Sequence, residues 1–449
     1  MKSHEIDMVH GSLFPKLIQF SIPLMISGIL QLLFNAIDMV VVGRFSGNAA
    51  LAAIGSTSAL VYTMTNLFTG LSLGTNIEAA KNYGAGDEKA LHDTVHTSIA
   101  LAIVCGILMI FVGIFSVRPI LQMMHTPEDV LDMAVIYLQI YFAGMPFFML
   151  YNFGAAILRA IGDTKRPLYY LLISGVLNAG LNVFLVVTFH LGVIGVGVAT
   201  VISQAFSAVM VMRCLLTDAA PYRLDWRQIS FRARALKHIL VLGIPAGLQG
   251  IVIDFSNIVV QSSLNSFGAI AMAGNAAATN LDSFLWTASS AFAQACLSFV
   301  GQNVGAKNYK RVDKIVLECG ALVIAICTIL PMILYFHGET FLHIYSSDPE
   351  VVSYGMIKFS VILIPYAFCG LMDMIPNATR GMGMSIAPTV ISLTLICGAR
   401  LIWIFTVFAK WHELRVLYIS YPLTWALTTV AQVICFLMAR KKMRKQNGI

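Results

Sequence analysis

The chain is poor in charge. Asp, Glu, Lys and Arg make up 11% of its 449 residues, against about 25% in soluble globular domains, and that shortage excludes a soluble enzyme. No Gly-Lys pair occurs anywhere, so the GxxxxGK[ST] loop of nucleotide-driven pumps is missing and no ATPase subunit is expected. The eight cysteines show neither CxxC spacing nor a cluster in a polar loop, and read as small buried residues rather than metal or disulfide ligands. His92 and His96 have ligand-like spacing but lack a third ligand, so no metal site is assigned to them. Residues 1–15 include Glu5 and Asp7, which argues against a cleavable signal peptide. The acids inside apolar segments stand alone rather than in clusters, so neither enzymatic activity nor a cofactor is expected.

What the chain has in abundance is apolar residues, 58% of the total. A helix crossing a bilayer needs roughly 20 of them. Apolar runs cover residues 17–37, 45–77, 94–117, 133–158 and 167–212, the last being long enough to cross twice with a turn at His190-Leu191-Gly192. The second half contributes 239–261, 270–300, 315–336, 354–376, 386–408 and 416–439. The runs are continuous rather than alternating, which predicts an all-α membrane protein of twelve transmembrane helices, not a barrel. An even count puts both termini on one side. Of the 29 Lys and Arg, 23 then lie on the side of the basic tail and four on the other, which predicts both termini in the cytoplasm and a multi-pass protein of the plasma (inner) membrane. The net charge of +7 is thereby explained by short loops, leaving the lipid bilayer as a partner and nucleic acid as none. A monomer is expected.

Sliding the chain by 221 to 222 residues superposes Ile22-Pro23 on Ile244-Pro245, Asn35 on Asn257, Phe45 on Phe267, Pro127-Glu128 on Pro349-Glu350, and Arg159, Gly162, Pro167 on Arg380, Gly383, Pro388. One offset held across five loops is an internal repeat. Six spans per copy give the copies the same orientation, predicting two six-helix bundles related by a pseudo-two-fold axis along the membrane normal. The expected organisation is a bundle over 1–214, a cytoplasmic linker over 215–237, a second bundle over 238–439 and a basic tail over 440–449.

An acid at a helix centre costs about 2.5 to 3.5 kcal/mol on insertion scales and so needs a reason. In the first span Gly28, Gln31, Asn35 and Asp38 share a face. The fifth span presents Asn178 and Asn182 one turn apart, and Thr200 opens the sixth. An acid, two amides and a hydroxyl suit a proton or a hard cation such as sodium, though a hydrogen-bonded network that holds helices together uses the same residues. The repeat partners of Asn178 and Asn182 are Ala399 and Trp403, and that of Asp38 is Val260. This asymmetry favours one cation site, in the first half. The second half offers Asp254 with Asn257 and Gln261, Asp282 with Asn275 and Thr279, Asp373 with Asn377, and Arg400, which either pairs with one of these acids or meets substrate. Lys358 is expected to snorkel from a span end. Pro23 weakens the first helix and is expected to let it bend.

The stretches 300–306 (VGQNVGA) and 158–165 (LRAIGDTK), Pro23 with Asp38, and the Asn178-x3-Asn182 pair followed by 195–200 (GVGVAT) are similar to signatures of the multidrug and toxic compound extrusion (MATE) family. The likeness runs from about Phe14 to Ala439. It implies a V-shaped pair of bundles exporting small organic, often cationic, molecules against an inward flow of protons or sodium. Some relatives have Glu near Asp254 or Asp in place of Asn182. The alternative is a flippase for lipid-linked precursors on the same architecture, which would want a basic cavity where this chain has only Lys358 and Arg400 within its spans.

Overall fold

The long apolar runs become long helices. In the computed structural model, residues 4–124 and 126–446 are described; the last three residues of the expected tail lie outside them. The helices are α1 (Phe14–Phe45), α2 (Gly47–Gly84), α3 (Glu88–Met123), α4 (Glu128–Ala143), α5 (Met145–Ala160), α6 (Lys165–Asn182), α7 (Gly192–Thr217), α8 (Ala233–Asn265), α9 (Ala269–Gly305), α10 (Tyr309–Phe336), α11 (Gly338–His343), α12 (Pro349–Ile362), α13 (Tyr366–Gly381), α14 (Ile386–Ser392), α15 (Ala399–Trp403) and α16 (Leu414–Gln446). No strand occurs among the described residues.

Among the described residues, nine helices are long and apolar enough to cross a membrane, and eleven spans result when each of two bent pairs counts as one. The sequence count of twelve also includes α2, which is 38 residues long but dilutes its apolar residues with Gly, Ser, Thr and Asn. The runs 133–158 and 354–376, each read as one span, are bent pairs. α4 meets α5 at 45°, and α12 meets α13 at 58°. The first bend falls at Gly144, where a Cβ would lie 2.6 Å from Val201 Cγ2, and Pro146 follows it in the first turn of α5. The second falls just before Pro365, whose ring disfavours helical geometry in the residue preceding it. Gly144 and Pro365 are one repeat offset apart, as are the π-helical turns Val183–Thr188 and Ile404–Phe408. The reversal between α6 and α7 comes at the expected place, with His190 and Gly192 both at φ 54°.

The chain forms two compact units, Met1–Ile6 with Ile26–Gly243, and Asp7–Met25 with Ile244–Ile449. These divisions depart from the chain halves at α1 and at α8, for reasons of local packing. In the first unit the segment after α7 is folded in rather than free. Tyr222 and Leu224 are buried with Leu91, Val95 and Ile157, and each such burial stabilises by about 1.5–3 kcal/mol. The Tyr222 hydroxyl donates to Glu5 at 2.8 Å, and the Ile6 N–H to the Gly162 carbonyl at 3.2 Å. The first turns of α8 press backbone to backbone on α2, since a Cβ on Gly74 would lie 2.4 Å from the Ile239 carbonyl oxygen and one on Gly243 would lie 2.7 Å from Leu71 Cα. In the second unit the start of the chain is held by Asn303, whose amide donates to the Met8 carbonyl at 3.0 Å, and by Phe20, edge-on to Phe299.

Candidate functional site

The first unit gathers Asp38, Asn178, Asn182 and Thr200 from three helices. Gly175 makes this possible: a Cβ there would lie 1.8 Å from the Phe34 ring, so α1 seats an aromatic side chain where α6 has none. Asp38 is one turn beyond Phe34, and Asn178 and Asn182 are three and seven residues beyond Gly175, on the same faces. Asn182 Nδ2 donates to the Asp38 carboxylate, and also to Asn178 Oδ1 at 3.2 Å. Asn178 Nδ2 in turn donates to Thr200 Oγ1 at 3.4 Å. Asn178 and Asn182 are buried and Asp38 half-buried, with Tyr137 of α4 close enough to Asp38 to interact with its charge. Asn182 Oδ1 is buried and has no hydrogen-bond partner among the described residues. The carboxylate, that carbonyl and the Thr200 hydroxyl are the oxygen donors a hard cation takes. The same carboxylate accepts a proton. Asn35, one turn before Asp38, is exposed. The π turn begins directly after Asn182, a departure from helical winding frequent at functional positions.

The second unit keeps its charged residues in three groups. Asp373 accepts from Asn377 Nδ2 at 3.4 Å; Asn377 Oδ1 accepts from Arg380, which also donates to Gln249 at 2.6 Å. Asp282 lies near the Tyr366 hydroxyl and the Lys358 ammonium, while Lys358 Nζ donates to Thr279 Oγ1 at 2.6 Å. Lys358 is 5% exposed, so it does not snorkel; α12 turns it inward to an acid and a hydroxyl on α9. Arg400, 2% exposed, forms no ion pair with a carboxylate among the described residues. Its Nη1 donates to Asn257 Oδ1 at 3.0 Å and Ser256 Oγ at 3.4 Å, its Nη2 to Thr424 Oγ1 at 3.5 Å, and the guanidinium lies 4.4 Å from the Tyr421 ring centroid. Of the two readings of Arg400, pairing with an acid of the second half is not seen among the described residues; its partners are neutral. Asp254, on α8, is half-buried.

The two histidines serve the fold. Their rings lie 3.9 Å apart, and His96 uses Nδ1 on the His92 carbonyl at 2.8 Å and Nε2 on the Asp225 N–H at 3.0 Å. No group of three or more His, Cys, Asp or Glu side chains placed to hold a metal is found among the described residues. Gly175 was not singled out in the sequence; its signal was a residue without a side chain one turn before a pair of amides.

Comparison with known proteins supplies the family. The MatE profile matches twice, at residues 23–184 and 245–405, reproducing the repeat offset. Two Bacillus subtilis (strain 168) proteins are similar along most of the chain: "Probable multidrug resistance protein YpnP" is 28% identical over 86% of each chain, and "Probable multidrug resistance protein YoeA" is 28% identical over 91% of this chain and 90% of its own. A solved outward-facing structure of a multidrug resistance MATE family transporter of the MOP superfamily has the same fold, with a TM-score of 0.90 over the full length of both chains at 19% identity. Two profile matches that together cover more than half of the sequence, on a chain of many apolar helices, make this a multi-pass membrane protein of a transporter family: the chain belongs to the MatE family.

Proposed function

We propose that the protein is a secondary active exporter of small organic, often cationic, compounds, driven by proton or sodium antiport through Asp38. The observation that carries this reading is the carboxylate of a membrane helix held by Asn182, which is held in turn by Asn178 and Thr200. Removal from water favours the neutral acid, while the amide N–H and a bound cation favour the carboxylate; the two opposed influences make Asp38 switchable. An ion arriving from outside neutralises it and releases substrate, and its departure to the cytoplasm restores the charge. Each elementary charge moved inward yields about 2.3 kcal/mol per 100 mV, which supports close to a fifty-fold gradient of a neutral substrate at one-to-one coupling. Loss of the charge or ligand at Asp38 is transmitted along α1, with Pro23 as the point of bending.

Asp254 and Asp373 add acids that attract organic cations. Both termini are cytoplasmic in this reading, and the protein works as a monomer without nucleic acid or an ATPase partner. The decisive experiment is export from proteoliposomes under an imposed pH gradient and, separately, an imposed sodium gradient. Export driven by neither would overturn the reading, and Pro23→Ala with unaltered transport would remove the bend from it.

A further inference from the structure

We infer that the second unit carries an oxyanion site at Arg400 and that the molecules handled there bear a carboxylate or phosphate group beside an aromatic body. The inference rests on the transport reading for its purpose but not for its chemistry. A guanidinium is charged at every pH a protein experiences and has five N–H donors. In Arg400, Nη1 is occupied by Asn257 and Ser256, Nη2 has one long contact to Thr424, and Nε is buried without a partner among the described residues. The less committed side is the Nε–Nη2 edge, the pair of parallel donors that receives a carboxylate or phosphate in bidentate fashion.

Every partner of this cation is neutral. Asn257, Ser256, Thr424 and the Tyr421 face solvate it without cancelling its charge, and a buried charge lacking a counter-ion is costly to the fold. Asp282 does not fill the role, because it forms no ion pair with Arg400 among the described residues and has Lys358 as its nearby cation. Beside Arg400 the rings are linked: Tyr421, which faces the guanidinium, and Tyr366 each lie edge-on to Trp425, with ring centroids 5.9 and 5.7 Å away. Asn257 is exposed, so the guanidinium is one side chain beneath the surface of the unit. A planar organic anion fits this surrounding through its charge and its ring; a bare inorganic anion fits through charge alone.

The test is binding by isothermal titration to the purified, detergent-solubilised full chain, without any ion gradient. Benzoate, phenyl phosphate, inorganic phosphate and benzylamine are the probes. Wild type is expected to bind benzoate and phenyl phosphate, and Arg400→Gln to bind both at least tenfold more weakly, with benzylamine unaffected by the change. Inorganic phosphate binding as tightly as phenyl phosphate would assign the site to a free anion; a preference of tenfold or more for the aromatic ester assigns it to an organic one. Should Arg400→Gln fail to fold, Asn257→Asp keeps the question open to refutation. It leaves Arg400 in place, sets a carboxylate against Nη1 that neutralises the guanidinium, and is expected to weaken anion binding at least tenfold while raising the melting temperature. Equal anion affinity in wild type and in either folded variant, or no anion binding to wild type, would overturn the site. Binding through Arg400 in a protein that exports nothing from liposomes would leave the site standing and overturn the transport reading instead.

Discussion

Asp38 and Arg400 stand on opposite sides of the equivalent helix contact in the two repeats and carry opposite charges. Asp38 stands on α1 against α6 and α7; Arg400, one residue past the repeat partner of Asn178, stands on α15 against α8 and α16. Both are surrounded by neutral amides and hydroxyls. The carboxylate can be discharged by a proton or a sodium ion, whereas the guanidinium cannot be discharged at all and has to be neutralised by something brought to it. The repeat thus carries one architecture twice, with a group that a proton or cation can discharge in one copy and a group that neither can discharge in the other. Gly175 and Cys397, the residue after its repeat partner Ile396, show the same divergence in packing: the glycine admits the Phe34 ring, while the cysteine donates its thiol to the Val252 carbonyl at 3.2 Å.

The largest effect that breaks the comparison is Asp38→Asn, which makes both centres unswitchable. It is expected to insert normally, as shown by an unaltered gel-filtration profile, and to reduce gradient-driven export from proteoliposomes to the level of empty vesicles. Wild-type coupling in that variant would move the switch to Asp373 or Asp254. Next comes Asn182→Ala. Its amide N–H favours the charged carboxylate by about 1.5–3 kcal/mol, so the ion concentration giving half-maximal export should shift roughly ten- to hundred-fold, falling for a proton, which no longer competes with that bond, and rising for sodium, which loses the Asn182 carbonyl as a ligand. Asn178→Ala removes only neutral bonds of about 0.5–1.5 kcal/mol and should shift it about two- to ten-fold in the same sense for each ion.

Gly175→Ala and Cys397→Ala sharpen the packing contrast. The first forces the Phe34 ring aside at about 1–3 kcal/mol and displaces Asp38 from Asn182, lowering both melting temperature and export. The second loses a weak thiol bond and should leave export within about twofold. The smallest effect concerns Asp7, outside the spans. Burial pushes its carboxyl up, yet the His10 and Val9 N–H groups, Lys16 and the His10 side chain together outweigh burial and hold it below the ordinary value of 3.8. A folded-state value below the unfolded one adds stability above about pH 3.8 that is lost as pH falls through the folded value. Asp7→Asn should therefore lower the melting temperature slightly at pH 6 and not at pH 2.5.

Helical spacing was sufficient to place Asn178 beside Asn182 and Gly28, Gln31, Asn35 and Asp38 on one face, because a polar side chain in an apolar run has few places to go. The meeting of Asp38 with Asn182 followed from polarity alone, since each is the natural partner left for the other. Periodicity says nothing about which way a helix is rotated in the bundle, and so Lys358, four residues into an apolar run, read as a residue of the rim when it is in fact turned toward Asp282. It was equally silent about Arg400, whose acid neighbours in sequence terms are taken by other cations in space. The bends at Gly144 and before Pro365 were hidden because apolar character continues across them; only the glycine and prolines mark the break. Family likeness fixed the architecture more firmly than any of these residues did singly.

The exchange of helix ends between the two units has a consequence for synthesis. The first unit is not finished when residue 214 is made, since Tyr222, Leu224 and the α8 turns up to Gly243 are parts of it. The second cannot close until Met8 and Phe20, made near the very beginning, are received by Asn303 and Phe299, made some three hundred residues later. The N-terminal stretch must therefore wait, undocked, through most of translation. A gene cut between the repeats at residue 214 leaves each fragment carrying a piece that the other requires, so neither fragment on its own encodes a complete unit.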